Sequence, residues 1–212
     1  MLGSIALLGP QRPQQNLGLV LDTIPGTGPI VSVTAGWRHD EAEVEALHRV
    51  VGADAVHLPL YEWFDEVMAA APPVAAAWRE RQAKIMDLKS LHRLRLHPAI
   101  EALGLVMDRQ DVDAAIARPQ IQWSLDHLRE LDQQFLDHAS VILRQHPEVL
   151  RAWEHPAVAP FHRRIAEQLA GARAILVAGG HVAVLRNRLE FFGMKGLLAS
   201  AVRTGTSLVA WS

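Results

Sequence analysis

The sequence of 212 residues contains no cysteine, which excludes disulfides, thiolate metal sites and a cysteine nucleophile. It has no excess of either charge: 21 Lys and Arg face 23 Asp and Glu, for a net charge of −2. That leaves no basic field of the kind that holds nucleic acid. Long apolar runs are missing as well, and none approaches the ~20 residues that span a bilayer. The apolar start, Met1 to Gly9, carries no basic residue and soon meets Pro10, unlike a secretory leader. These absences predict a soluble cytoplasmic protein with neither nucleic acid nor membrane as partner. What the chain does have is apolar content: half of its residues, enough for one large domain or a domain with a sizeable insertion.

Ser4 to Leu8 is a continuous apolar run stopped by Gly9-Pro10, the signature of a strand buried on both faces. A short helix around Leu17 to Leu21 and the turn cluster Pro25-Gly26-Thr27-Gly28-Pro29 lead to a second strand, Ile30 to Ala35. Asp40 reads as the N-cap of a helix through Val44, Leu47, Val50 and Val51, with Gly52 as its stop. A third strand, Ala53 to Leu58, ends at Pro59. Strand, helix, strand, helix, strand is the rhythm of a parallel α/β sheet.

The rhythm breaks over 62–171, where only helical patterns occur. Pro72-Pro73 opens a helix expected to close near His97-Pro98, and Pro98 starts another. A turn or two from Asp111 stops before Pro119, and a longer helix runs from Gln120 to Gln145. A crossover needs about a dozen residues, so this stretch is an all-α insertion between strands three and four: a lid, a substrate-selecting wall or an oligomer contact. Its histidines predict no metal site. His92 and His97 are five apart, and His127, Glu130, Gln134 and His138 share a stripe without the Glu-x-x-His spacing of di-metal bundles. No cofactor is expected.

The sheet resumes at Ala174 to Ala178, followed by Gly179-Gly180-His181, helices over 182–192 and 195–203, and a fifth strand, Thr206 to Ala210. The predicted fold is α/β: a flavodoxin-like parallel five-stranded sheet, strand order 2-1-3-4-5, with helices on both faces. Residues 1–61 and 172–212 form the α/β domain, and 62–171 the helical insertion. Ligands bind outside the carboxyl ends of such strands, near the topological switch point. Trp37 and Tyr61 are therefore candidate substrate contacts. Arg12 and Arg38 are candidate anchors for a substrate carboxylate, alongside the alternative that they are solvated loop arginines. The backbone at Gly179-Gly180 can turn tightly and present N–H groups to an anion or oxyanion.

Ala178-Gly179-Gly180-His181, the spaced Leu185 and Leu189, Gly193, Gly205 and the closing Leu208-Val209-Ala210-Trp211-Ser212 resemble the core signature of the peptidase E and cyanophycinase family. These serine peptidases have the class I glutamine-amidotransferase-like fold. The resemblance spans residues 1–61 and 172–212. It implies a serine hydrolase of amide or peptide bonds, with Ser212 as nucleophile and Gly180 supplying an oxyanion N–H. It also implies a peptide or small amide substrate contacted by Gly179 and His181. His181 stands where the family has asparagine, Ala210 replaces the elbow glycine, and the family's catalytic histidine follows its serine. The expectation is therefore a chain truncated at its nucleophile and inactive alone. The alternative is a non-catalytic binding or assembly module using the Gly179-Gly180 turn.

Overall fold

Five short apolar runs, each closed by glycine, proline or a polar turn, form the strands of one sheet. The computed structural model describes residues 2–11, 15–52 and 54–212, the side chains of Pro147 and Glu148 excepted. The strands are β1 (Ile5–Leu8), β2 (Ile30–Val33), β3 (Ala55–Leu58), β4 (Ala174–Val177) and β5 (Ser207–Trp211). The helices are α1 (Leu17–Asp22), α2 (Glu45–Val51), α3 (Leu60–Ala70), α4 (Pro72–Met107), α5 (Ala114–Arg144), α6 (Pro147–Leu150), α7 (Ala159–Ala170), α8 (Val182–Phe191) and α9 (Met194–Arg203). Ala53, expected to open β3, lies outside the described residues.

All pairings are parallel, and the strand order is β1-β5-β4-β2-β3. The five-stranded parallel sheet and the helical insertion between β3 and β4 are as expected, but the order 2-1-3-4-5 is not. β1 is an edge strand beside β5, and β2 pairs with β4. The correction matters for function because the chain now reverses direction across the sheet between β2 and β4. From β2 it runs outward to β3, and from β4 it runs the other way to β5. The switch point therefore lies at the carboxyl ends of β2 and β4.

The register separates the two faces. Ile30, Ala174, Leu176 and Val209 form one buried cluster with Leu17 and Leu21 of α1 and Leu47 of α2. On the opposite face Val31, Val33 and Ile175 are fully buried, and α9 packs on β5. β1 departs from the expected burial on both faces. Leu7 is 80% exposed and Ile5 is exposed with it, because an edge position leaves their side of the strand uncovered.

The chain divides into two compact units, residues 1–72 with 151–212, and residues 73–150. The second is a helical hairpin. Both prolines expected to end helices lie inside them, Pro98 in α4 and Pro119 in α5. A proline removes one N–H from the ladder, and the remaining turns carry the helix through. α5 opens earlier than expected because Asp113 caps it, its Oδ1 accepting from the Ala115 N–H at 2.7 Å.

Candidate functional site

The carboxyl ends of β2, β4 and β5 come together so closely that side chains are excluded between them. A Cβ on Gly180, whose φ is +141°, would meet the Gly36 carbonyl oxygen at 2.5 Å. One on Gly179 would meet the Trp211 carbonyl oxygen at 2.5 Å and the Ser212 Cα at 2.8 Å. The His181 N–H donates to the Gly36 carbonyl at 2.7 Å, and the Ser212 N–H to Leu8 at 3.4 Å. Glycine at 179 and 180 is thus a packing requirement at the switch point as well as a turn preference. Beyond the Ala178 N–H, which donates to Val33, the Gly179 and Gly180 N–H groups donate to no other group among the described residues.

A pocket of about 610 Å³ opens on this junction, lined by Gly179, Gly180 and Ser212 together with Trp37, Trp211, Asp40 and Glu43. α8 begins beside it. Its N-cap, His181, accepts from the Val184 N–H through Nδ1 at 3.3 Å, and the helix dipole adds positive potential at that end. The structure thus brings Gly179, Gly180, Ser212 and Trp37 into one cavity wall. His181, Arg38 and Tyr61 are not among the residues lining it. Arg12 lies outside the described residues.

Arg38 has its own peculiarity. It is the non-glycine residue with positive φ among those described, at φ 63° and ψ −119°. Such a conformation costs on the order of 1–3 kcal/mol. It breaks the 3₁₀ segment Ala35–Asp40 between Trp37 and Asp40, the two residues of that segment that line the pocket. Asp40, expected as a helix N-cap, instead belongs to this segment, and Val44 precedes α2. The loop has to turn back over the ends of β2 and β4 before a helix can start.

The same loop is anchored by Glu41, which is buried. Its carboxylate accepts the Tyr61 N–H at 2.9 Å and the Glu62 N–H at 3.0 Å, closing the first turn of α3. Burial pushes its pKa up to about 7, against the opposing pull of those two amides and of Arg188. Arg188 lies 3.6 Å over the Phe64 ring and 5.0 Å over the Tyr61 ring. Tyr61, whose ring also meets His39 edge-on at 5.5 Å, is therefore part of this supporting cluster. Thr34, at the end of β2, donates its hydroxyl to the Glu41 carbonyl at 3.0 Å and lies 2.8 Å from His57 Nε2. Since its single proton is spent on Glu41, the ring nitrogen must donate to it, which requires Nε2–H. Burial, with His48 nearby, lowers the His57 pKa to about 4, so the ring is neutral at pH 7.

Sequence reasoning did not single out Asp40, Glu43 and Trp211 for the site. The signal for Trp211 was the two-residue period of β5, which puts it on the same face as Val209. Asp40 reads in the sequence as a helix N-cap, and only the position of its loop at the carboxyl edge marks it and Glu43 for the pocket. Among the described residues no group of three or more His, Asp or Glu side chains could hold a metal ion, and no helix is long and apolar enough to cross a membrane. In comparisons with known proteins the chain matches no family model, no curated protein and no solved structure.

Proposed function

We propose that the carboxyl edge of the sheet is the nucleophile half of a serine hydrolase acting on peptide or small amide bonds. The observation that carries this reading is the pair of undonated N–H groups at Gly179 and Gly180 in a cavity wall shared with Ser212. The resemblance of these residues to the peptidase E and cyanophycinase signature adds to it. Ser212 Oγ would attack the carbonyl carbon, and the carbonyl oxygen, gaining charge, would take the glycine amides as donors. The C–N bond then breaks, the amine leaves with a proton, and water releases the acyl group from Ser212.

The serine proton needs an acceptor. The family's histidine follows its serine, and no imidazole is among the described residues lining the pocket. Within this sequence the acceptors there are the Asp40 and Glu43 carboxylates. The same carboxylates favour a substrate bearing a positive group, such as a free amino end, while its carbonyl faces the glycine amides. Treatment of the full-length protein with a fluorophosphonate probe tests the reading. Covalent labelling at Ser212, lost in Ser212→Ala, is the expected result; no Ser212-dependent adduct would sink it.

The Asp40 and Glu43 carboxylates, in one cavity with the Gly179 and Gly180 amides, also suit a second reading, a non-catalytic binding site for a small ligand with one acceptor and one cationic group. Trp37 and Trp211 line the cavity, so occupancy should change indole fluorescence. A saturable change with dipeptides, retained in Ser212→Ala and without turnover, would select this reading over the first.

A further inference from the structure

We propose that the helical hairpin is a homodimerisation element, two copies packing face to face through α5 about a twofold axis. A lone pair of helices buries one seam. In α4 the residues Ile85, His92, Ala99 and Val106 recur every seven, as do Ile121, Leu128, Phe135 and Ile142 in α5, a coiled-coil spacing. Outside that seam the hairpin still exposes large apolar side chains: Leu91, Leu94 and Leu105 of α4, and Ile116, Trp123 and Val141 of α5. Helices with apolar residues beyond a single seam belong to bundles.

One exposed stripe of α5 is self-complementary. Residues 116, 120, 123, 127, 130, 134, 137 and 141 recur at alternating steps of four and three, so they share a line along the helix. An antiparallel copy centred between residues 128 and 129 sets Ile116 against Val141 and His127 against Glu130. It also sets Trp123, 64% exposed, against Gln134. Gln134 borders a recess of about 320 Å³ lined by Leu88, Leu91, Leu94 and Phe135. Its floor is ordered: His92 stacks on Phe135 at 4.7 Å, and Arg95 donates to Gln134 at 2.8 Å. Each indole would enter the recess of the other copy, as an isologous interface requires. The 31 residues of α5 span about 46 Å, and two helices side by side about 20 Å. The face then offers about 900 Å² per copy, the scale of a stable interface at about 800 Å².

Sedimentation equilibrium of the full-length protein at roughly 1–100 μM tests this. The native protein should show twice its chain mass. Trp123→Glu should weaken association by roughly 30-fold or more, the loss of a central aromatic anchor. Glu130→Lys should weaken it by placing a cation against His127, and adding His127→Glu should restore it. Leu136→Glu, about 150° around α5 from the stripe at 3.6 residues per turn, should leave the dimer intact. A single-chain mass throughout the range overturns the proposal, as does a dimer indifferent to both Trp123→Glu and Glu130→Lys. Helical circular dichroism guards against misfolding, and the charge-swap rescue decides even where Trp123→Glu unfolds.

Discussion

Glu41 and His57 meet the same residue, Thr34, and burial moves both towards neutrality. Their effects on stability run in opposite directions with pH. Glu41, raised from 4.5 to about 7, binds its proton more tightly in the fold. Its contribution is present at low pH and is lost as pH rises between those values. His57, lowered from 6.5 to about 4, is disfavoured when charged. Its contribution is present above 6.5 and is lost as pH falls towards 4. At about 1.4 kcal/mol per unit the Glu41 window amounts to at most a few kcal/mol, and solvent around the partly exposed His57 ring makes its window smaller, so between 4.5 and 6.5 the two oppose each other. Glu41→Gln removes one arm. Urea unfolding should show that variant losing stability, relative to native, as pH falls from about 6.5 to 4.5. Parallel pH profiles for the two proteins would rule the account out. Neither residue stood out in the sequence, because a buried carboxylate and a neutral histidine are set by packing from β2, β3 and α3, far apart along the chain.

At the scale of elements, local pattern marked the strands, since each is an apolar run with a hard stop, such as Leu8-Gly9-Pro10 or Leu58-Pro59. Strand order was not legible. Whether β1 pairs with β2 or β5 depends on how crossovers pack, and no local residue records it. The Gly179-Gly180 turn was legible as a turn, but its approach to Gly36 was not, because that contact follows from β2 lying beside β4. The helix ends misled in the hairpin, where Pro98 and Pro119 looked like stops. There, each proline removes one N–H from the ladder, while His92 stacked on Phe135 and Arg95 bonded to Gln134 join α4 to α5. Leu131 is the most enclosed residue of α5, at 2% exposed, and falls on the seam side. Leu131→Ala should therefore cost about 2–4 kcal/mol, read as a lower urea midpoint with unchanged slope. A loss under about 1 kcal/mol would mean the seam holds little of the hairpin together.

For the whole molecule, the sheet has unequal edges. β3 lies at one end, and its Leu58 is fully buried. β1 lies at the other, paired on one side with β5, and it exposes Ile5 and Leu7 on one face. An uncharged apolar edge strand with unpaired backbone groups is a template for adding another strand. The hairpin face and the β1 edge therefore predict two different associations: a specific dimer through α5, and indefinite edge pairing through β1. Leu7→Lys separates them. A lysine on that exposed face removes no buried contact, so the unfolding midpoint should stay within about 0.5 kcal/mol of native. Light scattering on warming should then show slower growth of large species, while the α5 dimer mass is unchanged. If Leu7→Lys instead dissolved the dimer, β1 and not α5 would be the surface that joins two copies.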